Sequence, residues 1–388
     1  MIISYYDKEL ERYLHLDIDK GVSEDTPTSL PEADIDGVPT EKYATSPDGK
    51  YDYLCSFKYT LRDDMARRIR RKFYRRDNES GELVQMFTKW DMSDFQPCNY
   101  FFIKENVFFT VASYTDNVKN SVFICDISHS LDGENAKELW ETEAYPYSIH
   151  LNPQKDKLAY HLAGYDKDFN PYGHYAINIM ELDGTRHLVC SDTGHLFFGP
   201  AWSPDGQWLT FVDCLPEQDR AHHFCDIVIC KPDGSGFRRL TEGTSCLFAT
   251  AFGLEGYRMG GSNFPIWTKD SKVICSPMLP NSHPDCHYDP TQRNHEELIY
   301  DPSMGRGGCG LSIIDPQSGK AEAITEAVEG SWDFHPRLSP DNKWLLYTHS
   351  EFGKAGEVRL RNMEDGTTRV ITNGINGKGA DHSTFVKF

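Results

Sequence analysis

Short apolar runs that alternate with polar residues, separated by polar turns, dominate the chain. In Trp202-Ser203-Pro204-Asp205-Gly206-Gln207-Trp208-Leu209-Thr210-Phe211-Val212 an apolar approach reaches a Ser-Pro-Asp-Gly turn and continues at once into an alternating run. This is how a strand, a tight turn and its antiparallel partner are written. The phrase returns at Ala44-Thr45-Ser46-Pro47-Asp48-Gly49-Lys50, Ile266-Trp267-Thr268-Lys269-Asp270-Ser271-Lys272 and Arg337-Leu338-Ser339-Pro340-Asp341-Asn342-Lys343-Trp344, with a weaker copy at Leu151-Asn152-Pro153-Gln154-Lys155-Asp156-Lys157-Leu158. A second hairpin with a polar Gly turn follows most copies, at Asp183-Gly184, Asp233-Gly234, Ser318-Gly319 and Asp365-Gly366. Two hairpins per unit, repeated at roughly 50 residues, predict four-stranded antiparallel propeller blades.

Six units fall at 43–87, 97–141, 147–190, 197–241, 262–326 and 332–372. The sixth already holds four strands, so Asp381-His382-Ser383-Thr384-Phe385-Val386-Lys387-Phe388 begins a further blade. Two N-terminal strands around Asp7-Lys8-Glu9 complete it, which removes the exposed edges. The expectation is an all-β, seven-bladed β-propeller, one domain over 1–388 closed by its two chain ends, with six blades as the alternative. Residues 19–40, acidic and Pro-rich, read as a loop. The stretch 61–76, carrying Arg62, Arg67, Arg68, Arg70, Arg71, Lys72, Arg75 and Arg76, reads as a solvated helical insertion or as a basic lip for an anionic ligand.

Net charge is −19, which repels phosphate backbones and argues against nucleic acid as the main partner. No run of 18 apolar residues occurs and the N-terminus lacks a basic region followed by an apolar core, so a soluble protein is expected, with no membrane partner. Eleven cysteines are scattered singly without a CxxC, which fits reduced core thiols in a cytoplasmic protein better than disulfides or zinc.

The chemistry gathers where each blade's innermost strand begins, because those positions converge on the propeller's central mouth. They read Tyr145 to His150, His195 to Gly199, Gly260 to Asn263, Trp332 to His335 and Gly379 to His382, rich in imidazole, carboxylate, amide and aromatic groups. Asp333 with His335 and Asp381 with His382, on neighbouring blades, form a donor set that manganese, iron or zinc accepts. The alternative is Asp side chains satisfying their own turns and His side chains packed at strand ends. His222-His223 lie in one insertion, and His283, His287, Tyr288, Arg293 and Arg306 lie in or beside the long loop 280–307. So long a loop is usually functional, here a pocket wall or surface padding. The Gly-x-Ser strings lack the second glycine of a nucleophile elbow, which disfavours a serine hydrolase.

The Trp-Ser-Pro-Asp-Gly repeats resemble the TolB-like propeller repeat. The segment His335-Pro336-Arg337-Leu338-Ser339-Pro340-Asp341-Asn342-Lys343-Trp344-Leu345-Leu346-Tyr347-Thr348 resembles the terminal region of oligogalacturonate lyases. That resemblance implies a cytoplasmic seven-bladed propeller that binds manganese through histidines and a glutamine and cleaves uronide oligomers by β-elimination. It places one metal histidine at His335, with His382 as its match in the last blade. The family's second histidine falls on Asp333 and its glutamine on Gly330.

The leading expectation is therefore a metal-assisted oligosaccharide lyase acting on a uronic-acid sugar, with a divalent metal, manganese in the resemblance, as cofactor. His335, His382, Asp333 and Asp381 are its candidate ligands, and His150, His223 and Tyr147 its candidate acid or base. Arg258 and Arg306 are candidates for binding the substrate carboxylate, with Asn263, His283 and His287 also facing substrate. The alternatives are a noncatalytic propeller that binds a sugar or protein, and a metal-dependent glycosidase or epimerase.

Overall fold

The computed structural model describes residues 1–10, 12–19, 33–35, 38–61, 67–89, 95–114, 120–142, 144–163, 175–192, 195–214, 224–247, 254, 263–283, 286–288, 298–301 and 303–385. Its strands form a seven-bladed β-propeller. β1 (Ile2–Asp7) and β2 (Arg12–Asp17) belong to the closing blade. Blade one holds β3 (Ala33–Ile35), β4 (Val38–Thr45), β5 (Tyr51–Leu61), β6 (Arg67–Asp77) and β7 (Leu83–Gln85). Blade two holds β8 (Phe95–Lys104), β9 (Val107–Tyr114), β10 (Asn120–Asp126) and β11 (Ala136–Thr142). Blade three holds β12 (Tyr145–Leu151), β13 (Lys157–Ala163), β14 (Tyr175–Glu181) and β15 (Arg186–Cys190). Blade four holds β16 (Leu196–Trp202), β17 (Leu209–Cys214), β18 (Phe224–Cys230) and β19 (Arg238–Arg239), with β20 (Ser245–Cys246) paired to β18.

Blade five is β21 (Ile266–Trp267) and β22 (Val273–Cys275), then, after a small hairpin of β23 (Cys286–Tyr288) and β24 (Leu298–Tyr300), β25 (Leu311–Ile314) and β26 (Ala321–Thr325). Blade six is β27 (Ser331–Leu338), β28 (Trp344–Glu351), β29 (Glu357–Asn362) and β30 (Thr368–Thr372). β31 (Ala380–Phe385) then pairs antiparallel with β1, Ile3 opposite Phe385 and Asp7 opposite Ala380, giving the seventh sheet in the order β2-β1-β31.

The recurring Ser-Pro-Asp-Gly phrase works as a hydrogen-bonded latch. Ser203 Oγ donates to Asp205 Oδ1 at 2.5 Å and accepts the Trp208 N–H at 2.9 Å, so one hydroxyl ties the turn to the start of the next strand. Ser46 and Ser339 repeat this with Asp48 and Asp341, and Thr268 with Asp270. The preceding tryptophan joins blades: Trp202 Nε1 donates to the His150 carbonyl, and Trp267 Nε1 to the Ala201 carbonyl, one blade back in each case. Between blades the alternating apolar positions interlock, as where Leu196, Phe198 and Val212 of blade four meet Val273 and Cys275 of blade five.

Two readings of the sequence are corrected. Residues 67–77 are a strand, paired with β5 from Leu61 opposite Arg67 to Tyr51 opposite Asp77, and not a helical insertion. Continuous pairing with β5, not the local pattern of its cations, makes this segment a strand. The loop expected over 19–40 contains β3 and the first residues of β4.

Candidate functional site

Every hairpin described above sets the Ser-Pro-Asp-Gly turns on one face of the ring, so the innermost strands begin on the other. In four blades the expected site residues lie inside the innermost strand rather than ahead of it, at a β-bulge. Pairing skips between Tyr147 and His150, Phe198 and Ala201, Phe334 and Arg337, and, against β1, around His382. The bulged residue has a left-handed backbone in each: Ser148 (φ 49), Gly199 (φ 62), His335 (φ 52) and His382 (φ 49). Bulges re-aim side chains, and non-glycine residues tolerate φ > 0 at a cost that clusters at functional sites. At Gly199 a Cβ would lie 2.1 Å from the Phe264 ring, so that blade has no room for a side chain.

His335 and His382 lie side by side, ring centroids 4.2 Å apart. His335 is 1% exposed, and its N–H donates to Asn263 Oδ1 at 3.1 Å. The Asn263 amide in turn donates to the Cys246 carbonyl, so this residue braces the bulge. Nδ1 of His382 stands 2.8 Å from Asp381 Oδ1, and Lys8 Nζ is 3.1 Å from Asp381 Oδ2. Burial pushes the Asp381 carboxyl up, but the His382 hydrogen bond and charge and the Lys8 ammonium outweigh it, so its pKa falls below the ordinary value. Asp333 Oδ1 is 2.6 Å from Nδ1 of His349 on the adjacent strand.

Further around the ring, Tyr147 is 42% exposed and stacks on His161, centroids 5.4 Å apart. Buried His161 accepts the Gly199 N–H at Nδ1 and meets Phe198 and Phe264 edge-on. His150 and Arg337 occupy the same repeat position, two residues before the turn Asn152 and Ser339, on blades three and six. His150 is exposed as a residue, and desolvation of its ring, then the Arg337 charge, lower its pKa to about 4. His161, desolvated and near His150, is pushed down to about 3.

The remaining candidates separate from this group. Arg306 is exposed and its guanidinium donates to the Asn281 and Met304 carbonyls of its own loop. His283 is buried and pairs with Arg306 through the backbone. Arg258 and His223 lie outside the described residues, as does the side chain of His287.

A manganese site needs several converging donors. Among the described residues no three His, Cys, Asp or Glu side chains converge as a metal would require. Asp333 is bound to His349 and Asp381 lies between His382 and a lysine, so the described residues do not by themselves fit the metal. The nine cysteines whose side chains are described are free thiols, eight of them buried.

Sequence reasoning missed His161, Arg337, His349 and Lys8. Arg337 was legible as the repeat-equivalent of His150; the other three reach the site from second strands or a turn, and only strand pairing reveals them.

No protein-family profile and no curated protein sequence matches this chain. Among solved structures, a puromycin-hydrolyzing peptidase of Mycobacterium tuberculosis is similar over 96% of this chain, at TM-score 0.56 and 10% identity; the chain spans 52% of that protein. A putative TolB from Agrobacterium tumefaciens is 16% identical at TM-score 0.42, covering 90% of this chain and 98% of that one. An oligogalacturonate lyase in complex with manganese is 14% identical at TM-score 0.48, covering 81% and 72%. Likenesses at these identities concern the fold alone.

Proposed function

We propose that the mouth of the channel binds an acidic, uronate-type oligosaccharide and cleaves it by β-elimination. The observation that carries this reading is the grouping, on one blade, of His150 and exposed Tyr147, with Arg337 at the repeat position that matches His150 and its charge acting on the His150 ring. In such an elimination the base removes the proton α to the carboxylate, its electron pair forms the new C=C bond, the β C–O bond breaks, and the leaving oxygen takes a proton. A cation against the carboxylate stabilises the charge that develops there, and an imidazole is suited to the proton transfer. A substrate carboxylate beside Arg337 offsets the guanidinium charge and raises the basicity of His150 as it arrives.

The second reading, a propeller that binds such a sugar without cleaving it, is favoured by the absence of a three-donor metal group among the described residues. Absorbance of unsaturated uronide products separates the two. With oligogalacturonides, turnover should appear, fall roughly 100-fold or more in His150→Ala, and lose apparent affinity in Arg337→Gln. Binding without absorbance supports the second reading, and no binding of any uronide overturns both. Chelation belongs in the same assay: loss of turnover with recovery on adding manganese would mean that residues beyond the described set complete a metal site around His335 and His382.

A further inference from the structure

The bulge in β12 changes which side chains share a face. Tyr147 and His150 are three residues apart, a spacing that in a regular strand points two side chains to opposite faces. Here Tyr147 lies opposite His161 and His150 opposite Ala159, with Ser148 and Ile149 together spanning one partner position. His161 and Ala159 are two residues apart on β13, and residues directly opposite share a face. Tyr147 and His150 therefore come out on the same side, roughly 7 Å apart along the strand. The left-handed backbone at Ser148 is the strain that this alignment requires.

Tyr147 is also set apart by where it is exposed. Of the seven large apolar side chains exposed among the described residues, it is the one on an innermost strand, where the channel wall is. Its ring is supported from behind, stacked on the His161 imidazole at an interplanar angle of 13°. His161 is held in turn by the Gly199 N–H and by the edges of Phe198 and Phe264, and Phe198 packs on Tyr175, centroids 4.7 Å apart. Gly199 lets Phe264 come this close, because a Cβ there would meet its ring. A tyrosine fixed in this way presents a large, rigid, amphipathic surface with only two torsions to order. The C–H groups on one side of a sugar ring are the kind of surface that packs on it.

We infer that Tyr147 is the stacking platform of the site: its ring receives the C–H face of one sugar of the bound chain and sets that sugar's position against His150 on the same side of the strand. The inference deepens the uronide reading and rests on it for the identity of the sugar. It makes the ring the working part of Tyr147, in place of the hydroxyl that proton transfer would use.

The test uses short oligogalacturonides with Tyr147→Ala and Tyr147→Phe. The Ala variant should bind them roughly five- to tenfold more weakly, with kcat changed less than KM. Tyr147→Phe keeps the ring and should restore affinity and turnover. In saturation-transfer NMR, irradiating the aromatic protons should mark the C–H protons of one sugar face in the wild type and the Phe variant, and that mark should fade in the Ala variant. Unchanged affinity in Tyr147→Ala overturns the platform while leaving the uronide reading intact. Turnover lost in Tyr147→Phe with affinity retained overturns it too, because the hydroxyl is then the working group. If the Ala variant does not fold, the wild-type spectrum decides, and transfer without preference for one face rejects the platform. If no uronide binds the wild type, the uronide reading fails; neutral oligosaccharides then probe the platform alone, and equal binding by wild type and Ala variant, or none by either, rejects it.

Discussion

His161 shows what a single buried ring contributes and what it costs. Its imidazole accepts the Gly199 N–H and packs against three aromatic rings, so it stays neutral, with desolvation and then the His150 charge holding its pKa at about 3. In the unfolded chain the same group titrates near 6.5. As pH falls below 6.5 the unfolded state takes up a proton that the folded state refuses, so the stability present above that pH is progressively lost down to about 3. Between pH 7 and pH 5 the loss is on the order of 2 kcal/mol. Chemical denaturation across that range should show the decline, with a shallower slope in His161→Gln; equal slopes would mean that the ring is protonated in the folded protein. The site residues were partly legible at this scale. His335, His382, Asp333 and Asp381 stood out as residue types at repeated positions, whereas His349, which pairs with Asp333 from the next strand, and Lys8, which reaches Asp381 from the turn after β1, did not.

At the scale of the strand and turn, the Ser-Pro-Asp-Gly phrase was fully legible because its hydrogen bonds are local. Ser203 serves both Asp205 and the Trp208 N–H, so Ser203→Ala removes two bonds and leaves a backbone donor to find water. The expected cost is about 1 to 2 kcal/mol, seen as a lower melting temperature, while Ser203→Thr, the residue type that serves at Thr268, should retain most of the stability. If Ala and Thr behave alike, the latch is not what holds this turn. The same local logic misjudged 61–76, where a dense row of cations gave no alternation to read and only pairing with β5 exposed the strand. The bulges at Ser148, Gly199, His335 and His382 had no sequence signature beyond the one glycine, since φ > 0 at the other three is imposed by the neighbouring strands.

Across the whole molecule, closure depends on one strand. β31 joins the last blade to β1, and Asp7, fully buried, accepts the N–H groups of Glu9, Leu10 and Ile375, tying the N-terminal hairpin to the segment ahead of β31. Ala380 and Phe385 pack with Ile3, Tyr5, Leu346 and Val358. Deleting residues 380–388 should abolish cooperative unfolding, because it exposes both ring edges and that apolar cluster; a truncated protein that melts like its parent would show that the ring does not need its last strand.

By itself the sequence determined the repeat, the number of blades and the joining of the chain ends, because turn chemistry and two-residue alternation are written in consecutive residues. Only the tertiary structure decided that His150 faces Arg337's charge, that His335 abuts His382, and that Asp333 and Asp381 are already paired with His349, His382 and Lys8. Those relations run between blades and between strands, where distance is set by closing the ring and by strand register, and spacing along the chain carries no record of either.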